Sequence, residues 1–169
     1  MTTQTTQILT NLQLAQIIRR IAFEIYETNF DETDLVLAGV SGEGYVLAQR
    51  LAFELEHISP LKVSLLKIEL DKSLPQQPDV RLDAPPQAYT GRAVVLIDDV
   101  LNTGRTLAFS LQPFLSVPVR KLQVAVVVDR NHKMYPVAAD FIGYELATSL
   151  TEHVRVVVGD EAEAGVYLK

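Results

Sequence analysis

The stretch Ala93–Leu107, AVVLIDDVLNTGRTL, decides how the rest of the chain is read. Its first five residues are apolar and include the β-branched Val94, Val95 and Ile97. They read as a strand buried on both faces, because a half-buried strand would alternate apolar with polar residues. Asp98 and Asp99 stand where that strand is expected to end, and Val100, Leu101, Asn102, Thr103, Gly104, Arg105 and Thr106 follow, after which Leu107 to Leu115 reads as a helix. Strand, polar loop and helix in that order form one unit of an open α/β sheet, where ligands bind beyond the carboxyl ends of the strands and a helix start presents N–H groups to phosphate.

Each residue type in the loop suits a phosphorylated sugar. Paired carboxylates accept hydrogen bonds from two neighbouring ribose hydroxyls, Gly104 lets backbone approach a phosphate, and the Thr103 and Thr106 hydroxyls donate to its oxygens. A Walker loop places its glycines and a Lys-Ser/Thr pair before the helix with no acid pair in front, and no Gly-Lys-Ser/Thr occurs in this chain. A strand end that only caps a helix accounts for one of these residues and not for the run.

The chain has 169 residues, enough for one domain with a real core. No apolar run approaches the length of a membrane span, and the polar start MTTQTTQ lacks the basic and apolar regions of a signal peptide, so a cytoplasmic protein is expected. The absence of cysteine excludes disulfides, thiolate zinc sites and a thiol nucleophile, and His57, His132 and His153 have no metal-ligand spacing. A net charge of -6 argues against a large sequence-independent nucleic-acid footprint.

Residues 1–7 are expected to fray, leaving one domain over 8–169. Leu14, Ile17, Ile18, Ile21 and Ile25 form a helical stripe ending near Asn29, with Thr10 and Gln13 as a capping box. Arg19 and Arg20 beside it read as solvated charge. Leu35 to Val40 is a buried strand and Tyr45 to His57 a helix. Between them Ser41, Gly42, Glu43 and Gly44 make a turn whose backbone N–H groups can meet a phosphate. Lys62 to Leu70 reads as a strand, and Asp71 to Gly91, with Pro75, Pro78, Pro85 and Pro86, as one long irregular segment. Lys121 to Val128 is a further buried strand followed by the polar turn Asp129, Arg130, Asn131, His132 and Lys133. Phe141 to Tyr144 and Val154 to Val158 are short strands, and Asp160 to Glu163 reads as solvated acidic surface. Strands alternating with helices give the α/β class, a mostly parallel sheet flanked by helices on both faces.

Val94 to Thr106 resembles the phosphoribosyl-pyrophosphate (PRPP) motif of type I phosphoribosyltransferases: four apolar residues, two acids, two apolar residues and a Thr-Gly-x-Thr loop. DDVLNTGRT together with VDRNHKMYPVAADFIGYELATS, Val128 to Ser149, is similar to the PyrR family of pyrimidine operon regulators that are also uracil phosphoribosyltransferases. The resemblance implies the type I phosphoribosyltransferase fold with a small C-terminal hood over the nucleobase, and transfer of phosphoribose from PRPP to uracil. It implies Asp98 and Asp99 at the ribose hydroxyls, directly or through Mg2+, which binds phosphates with one or two carboxylates. Val100 to Thr106 would hold the 5'-phosphate, Ser41 to Gly44 the pyrophosphate, and Asp129, Arg130 and His132 the rim of the site. Asp71 to Gly91 would be a lid, with Lys72 or Arg81 offering charge to the leaving group. It implies a homodimer or higher homo-oligomer.

Two departures bear on these expectations. The family carries a basic residue beside the turn glycine where this chain has Glu43, and a carboxylate facing pyrophosphate is repelled by about 1 kcal/mol at 4 Å in bulk water and by several at lower effective dielectric, unless Mg2+ bridges them. The family's corresponding first helix contributes to RNA recognition and carries a His where this chain has Phe23; with the acidic balance, this makes RNA binding doubtful. A catalytically impaired PRPP or nucleotide sensor is the other alternative.

Overall fold

In the computed structural model, residues 4–71, 73 and 79–169 are described. The chain opens with β1 (Thr6–Leu9) and α1 (Asn11–Asn29). The Thr10 hydroxyl accepts from Gln13 N and the Gln13 side chain accepts from Thr10 N, the expected capping box. There follow β2 (Asp34–Val40), α2 (Glu43–Ile58), β3 (Lys62–Glu69), β4 (Arg81–Leu82) and β5 (Ala93–Leu101). The short helices α3 (Arg105–Ser110) and α4 (Gln112–Leu115), and then β6 (Lys121–Asp129), β7 (Phe141–Glu145), β8 (Val154–Val157) and β9 (Gly165–Leu168), complete the chain.

The main sheet has the order β4-β3-β2-β5-β6-β7, parallel except for the antiparallel edge strand β4. Continuous apolar runs bury both faces by alternation. Leu35, Leu37, Val95, Ile97, Ala125 and Val127 pack with α1 and α2, while Val36, Ala38, Val94, Leu96, Val124 and Val126 pack with Leu107 of α3 and Phe114 of α4. A second, antiparallel sheet, β1-β9-β8, forms the hood, and its Leu9, Val156 and Val166 join the α1–α2 side of the core. No described helix is long and apolar enough to cross a membrane.

Four expectations are corrected. Strand β5 does not stop at Ile97 but runs through Asp98 and Asp99 to Leu101, because β6 continues beside it and pairs Val100 with Val128 and Leu101 with Asp129. The expected helix Leu107 to Leu115 starts earlier and is split, since Pro113 has no N–H to continue the ladder. Thr6 and Gln7 are not frayed: they pair with Leu168 and Tyr167 in the hood. The segment Asp71 to Gly91 is irregular only in part, because β4 docks on β3 and a 3-10 turn at Pro86–Ala88 leads to Tyr89, buried edge-on to Phe114 at 5.0 Å.

Gly39 lets α2 lie close on β2: a Cβ there would stand 2.6 Å from Tyr45 Cα and 2.9 Å from Gly44 O. Backbone cannot step aside as a flexible side chain can, so Gly39→Ala is expected to lower stability by about 1–3 kcal/mol, read as a lower midpoint in urea unfolding at unchanged slope.

Candidate active site

The connection from β2 leads to β3 on one side, and that from β5 leads to β6 on the other, while β2 and β5 are themselves neighbours. Loops leaving in opposite directions open a crevice at the carboxyl ends of these two strands. The turn Ser41–Gly44 and the loop Asn102–Thr106 both sit there. The turn packs on β5 itself: a Cβ at Gly44 would lie 3.0 Å from Asp98 Oδ1 and 3.1 Å from Ile97 O, so only glycine lets the turn close on Asp98.

Asp98 is buried, and its Oδ1 accepts from Asp99 N at 2.9 Å; Asp99 is half-buried and its Oδ1 accepts from Val100 N at 2.9 Å. A small cavity of about 30 Å³ is walled by Asp98 and by residues 100–107; Asp99 stands outside that wall. Gly104 has φ 87°, a left-handed conformation that glycine adopts without strain. Thr103 Oγ1 accepts from Arg105 N at 3.3 Å, and Thr103 O accepts from Met134 N at 2.7 Å and Tyr135 N at 3.1 Å. The segment after β6 thus holds the loop in shape from outside.

Arg130 is 5% exposed. Its guanidinium donates to Asn102 Oδ1 (2.9 Å), Thr148 Oγ1 (2.9 Å), Ser149 O (3.2 Å) and Glu152 O (2.6 Å). Arg130 is thus a strut between the loop after β5 and the segment leading into β8. Asp129, also buried, accepts from Asn131 N at 2.9 Å and lies 3.8 Å from Lys133 Nζ. His132 Nε2 contacts Thr148 O and lies 3.2 Å from Thr148 Oγ1. The Ser149 backbone and hydroxyl hold the Glu152 carboxyl below the usual carboxylate range, with the Arg130 charge adding to the effect.

Two larger cavities lie beside the loop and the turn. One, of about 490 Å³, lies between Asn102, Thr103 and Arg130 on one side and Leu150 and His153 on the other. The other, of about 370 Å³, is bounded by Ser41, Glu69, Asp71, Asp79 and Arg81. Arg81 is highly exposed and lies 3.6 Å from Asp79. Lys72 lies outside the described residues. Thr148, Ser149, Leu150, Glu152 and His153 escaped the sequence reading, because they contribute backbone oxygens or stand alone in a stretch with no spacing to mark them.

Glu43 is a further correction. At the first position of α2, its Oε2 accepts from Val158 N at 2.7 Å and Gly159 N at 3.2 Å, just past β8. The carboxylate faces the hood rather than a phosphate in the turn, so the expected repulsion loses its geometric basis.

The fold and this crevice define a class, and comparison with known proteins agrees. The phosphoribosyl transferase domain family matches residues 4–159, and the chain belongs to it, as a phosphoribosyltransferase. The chain is similar to the bifunctional protein PyrR of Streptomyces coelicolor, 36% identical over 91% of this chain and 83% of the relative. It is likewise similar to that of Pelotomaculum thermopropionicum, 38% identical over 89% and 87%. Among solved structures, a hypoxanthine-guanine phosphoribosyltransferase of Bacillus anthracis superposes with TM-score 0.71 at 18% identity, over 84% of each chain, which shows the shared fold.

Two outcomes test the struts. Arg130→Met leaves buried acceptors unpaired and is expected to cost on the order of 1–3 kcal/mol, seen as a lower thermal midpoint. Glu43→Ala should speed amide hydrogen exchange at Val158 and Gly159 while leaving the strands of the main sheet protected.

Proposed function

We propose that this phosphoribosyltransferase transfers the phosphoribosyl group of PRPP to uracil, giving UMP and pyrophosphate. The observation that carries the reading is the acid pair near the end of β5, with a small cavity in the loop beyond it and a cavity of about 490 Å³, roomy enough for a nucleobase, alongside. Similarity to PyrR proteins supports a pyrimidine as the acceptor.

In this reading the 5'-phosphate sits in the cavity of Asn102–Thr106, where Thr103 and Thr106 offer hydroxyls. The ribose hydroxyls meet Asp98 and Asp99, the pyrophosphate lies at Ser41–Gly44, and uracil occupies the larger cavity between Asn102 and the segment of Leu150 and His153. Arg130 fixes Asn102 against the hood segment, and Asp129 and His132 hold the turn that frames the cavity. The bond from ribose C1 to the pyrophosphate oxygen breaks with its electron pair leaving on pyrophosphate, a bond from C1 to the base nitrogen forms, and the proton of that nitrogen passes to pyrophosphate or water. Positive charge grows on the sugar in between. No side-chain nucleophile is needed; positioning and the carboxylate charge carry the rate.

Mg2+ fits the donor set. Asp99 commits one oxygen to Val100 N and keeps the other, and no group of three or more carboxylate or imidazole ligands occurs among the described residues. Such a site suits a metal that arrives on substrate phosphates and takes one or two carboxylates. When bound, Mg2+ would neutralise the leaving pyrophosphate.

RNA binding is not part of the reading. Arg20 donates to Gly143 O and pairs with Glu24 at 2.7 Å, and Arg19 lies over the Phe23 ring at 5.8 Å, so both are engaged within the fold. A cytoplasmic homodimer or higher homo-oligomer belongs to the same reading.

The test is pyrophosphate release from PRPP with Mg2+, run with uracil and, separately, with guanine, hypoxanthine, adenine and orotate. Release with uracil alone is expected; silence with every base, while UMP still binds by calorimetry, would make the protein a nucleotide sensor. Asp98→Asn with Asp99→Asn should lower kcat/KM for PRPP at least about tenfold with the fold intact by circular dichroism.

A further inference from the structure

Among the described residues, the pyrophosphate end of the crevice is short of positive charge. Glu43 stands in the turn and its carboxylate is committed to Val158 N and Gly159 N. The cavity beside Ser41 carries Glu69, Asp71 and Asp79, and its Arg81 is paired with Asp79 and exposed. A pyrophosphate carries several negative charges, and a charge-assisted hydrogen bond from a protein cation holds it about twice as strongly as a neutral donor does.

One lysine is placed to supply it. Lys67 pairs in register with Gly39 of β2, two residues before Ser41, and so stands near the carboxyl end of β3. Its main chain is pinned on both sides by Asp83, whose Oδ1 accepts from Lys67 N at 2.8 Å and whose N donates to Lys67 O at 3.2 Å. Its ammonium lies 5.1 Å from the centre of the Tyr45 ring, on the first turn of α2. Tyr45 N donates to Gly42 O at 3.2 Å, so that ring belongs to the turn itself. Lys67 is half-buried and makes no ion pair with a carboxylate among the described residues. A cation held over an aromatic face is attracted without being neutralised.

Building on the phosphoribosyl-transfer reading above, we propose that Lys67 is the residue that binds the pyrophosphate of PRPP, its ammonium parked on Tyr45 and swinging to the phosphate oxygens when PRPP enters. The cation that the turn lacks comes from the neighbouring strand, and Glu43 is thereby free to serve the hood.

Calorimetric titration of PRPP with Mg2+, and of UMP, into wild type, Lys67→Met, Lys67→Arg and Lys62→Met tests this. Lys67→Met should weaken PRPP at least about tenfold, the scale of one charge-assisted contact, and leave UMP unchanged because UMP has no pyrophosphate. Lys67→Arg should retain most of the PRPP affinity, and Lys62→Met, at the far end of the same strand, all of it. PRPP binding by Lys67→Met equal to that of wild type overturns the proposal while the phosphoribosyl-transfer reading stands. Equal weakening of PRPP and UMP by Lys67→Met also overturns it, as a general disturbance of the fold. A wild type that binds neither ligand overturns both.

Discussion

Two parallel strands that lie side by side but hand the chain on in opposite directions cannot be roofed by one connection. Strands β2 and β5 are such a pair, and the rest of the site follows from the gap between their ends. The gap is narrow, because Gly39 and Gly44 bring α2 onto the strands and set the turn against Asp98. It is lined by polar groups, because both strands exhaust their apolar runs there. Two struts reach the segments on either side of β8, a carboxylate at Glu43 on α2 and a guanidinium at Arg130 just past β6. Each satisfies backbone groups that would otherwise be unpaired near the core, so loop shape and hood position are one energetic unit.

The two struts differ in what they cost. A buried guanidinium is tolerable only when its donors are nearly all met, and Arg130 meets acceptors from two side chains and two main-chain carbonyls. Glu43 gives up less, since a carboxylate at the start of a long helix gains from the helix dipole whatever its partner. The first fixes geometry near the larger cavity, the second near the turn, and between them the hood is held at two points.

The sheet was legible because burial on both faces writes itself as unbroken apolar runs, as in Val94 to Ile97 and Val124 to Val128. The start of α1 was legible because Thr10 and Gln13 form a local motif that needs nothing else. The loop after β5 announced itself by residue type. What stayed hidden depends on partners far along the chain. Asp98 and Asp99 look like a strand end, yet β6 keeps pairing beside them. Thr6 and Gln7 are strand only because β9 is there to receive them. Glu43 reads as an acid facing phosphate until Val158 and Gly159 are seen to claim it, and Lys67 reads as one polar position in a strand until Tyr45 is placed beneath it.

The hood carries its own timetable. Its central strand is β9, which bonds to β1 on one side and β8 on the other and pairs Leu168 with Thr6. During synthesis the parallel sheet can assemble as its strands emerge, but β1 has no partner until Gly165–Leu168 has left the ribosome. The hood sheet, and with it the Lys169 main chain that bonds to His153 beside the larger cavity, therefore forms after the strands of the main sheet. A nascent chain paused before β9 would hold a folded sheet and the loop after β5 while lacking the strand that joins β1 to β8.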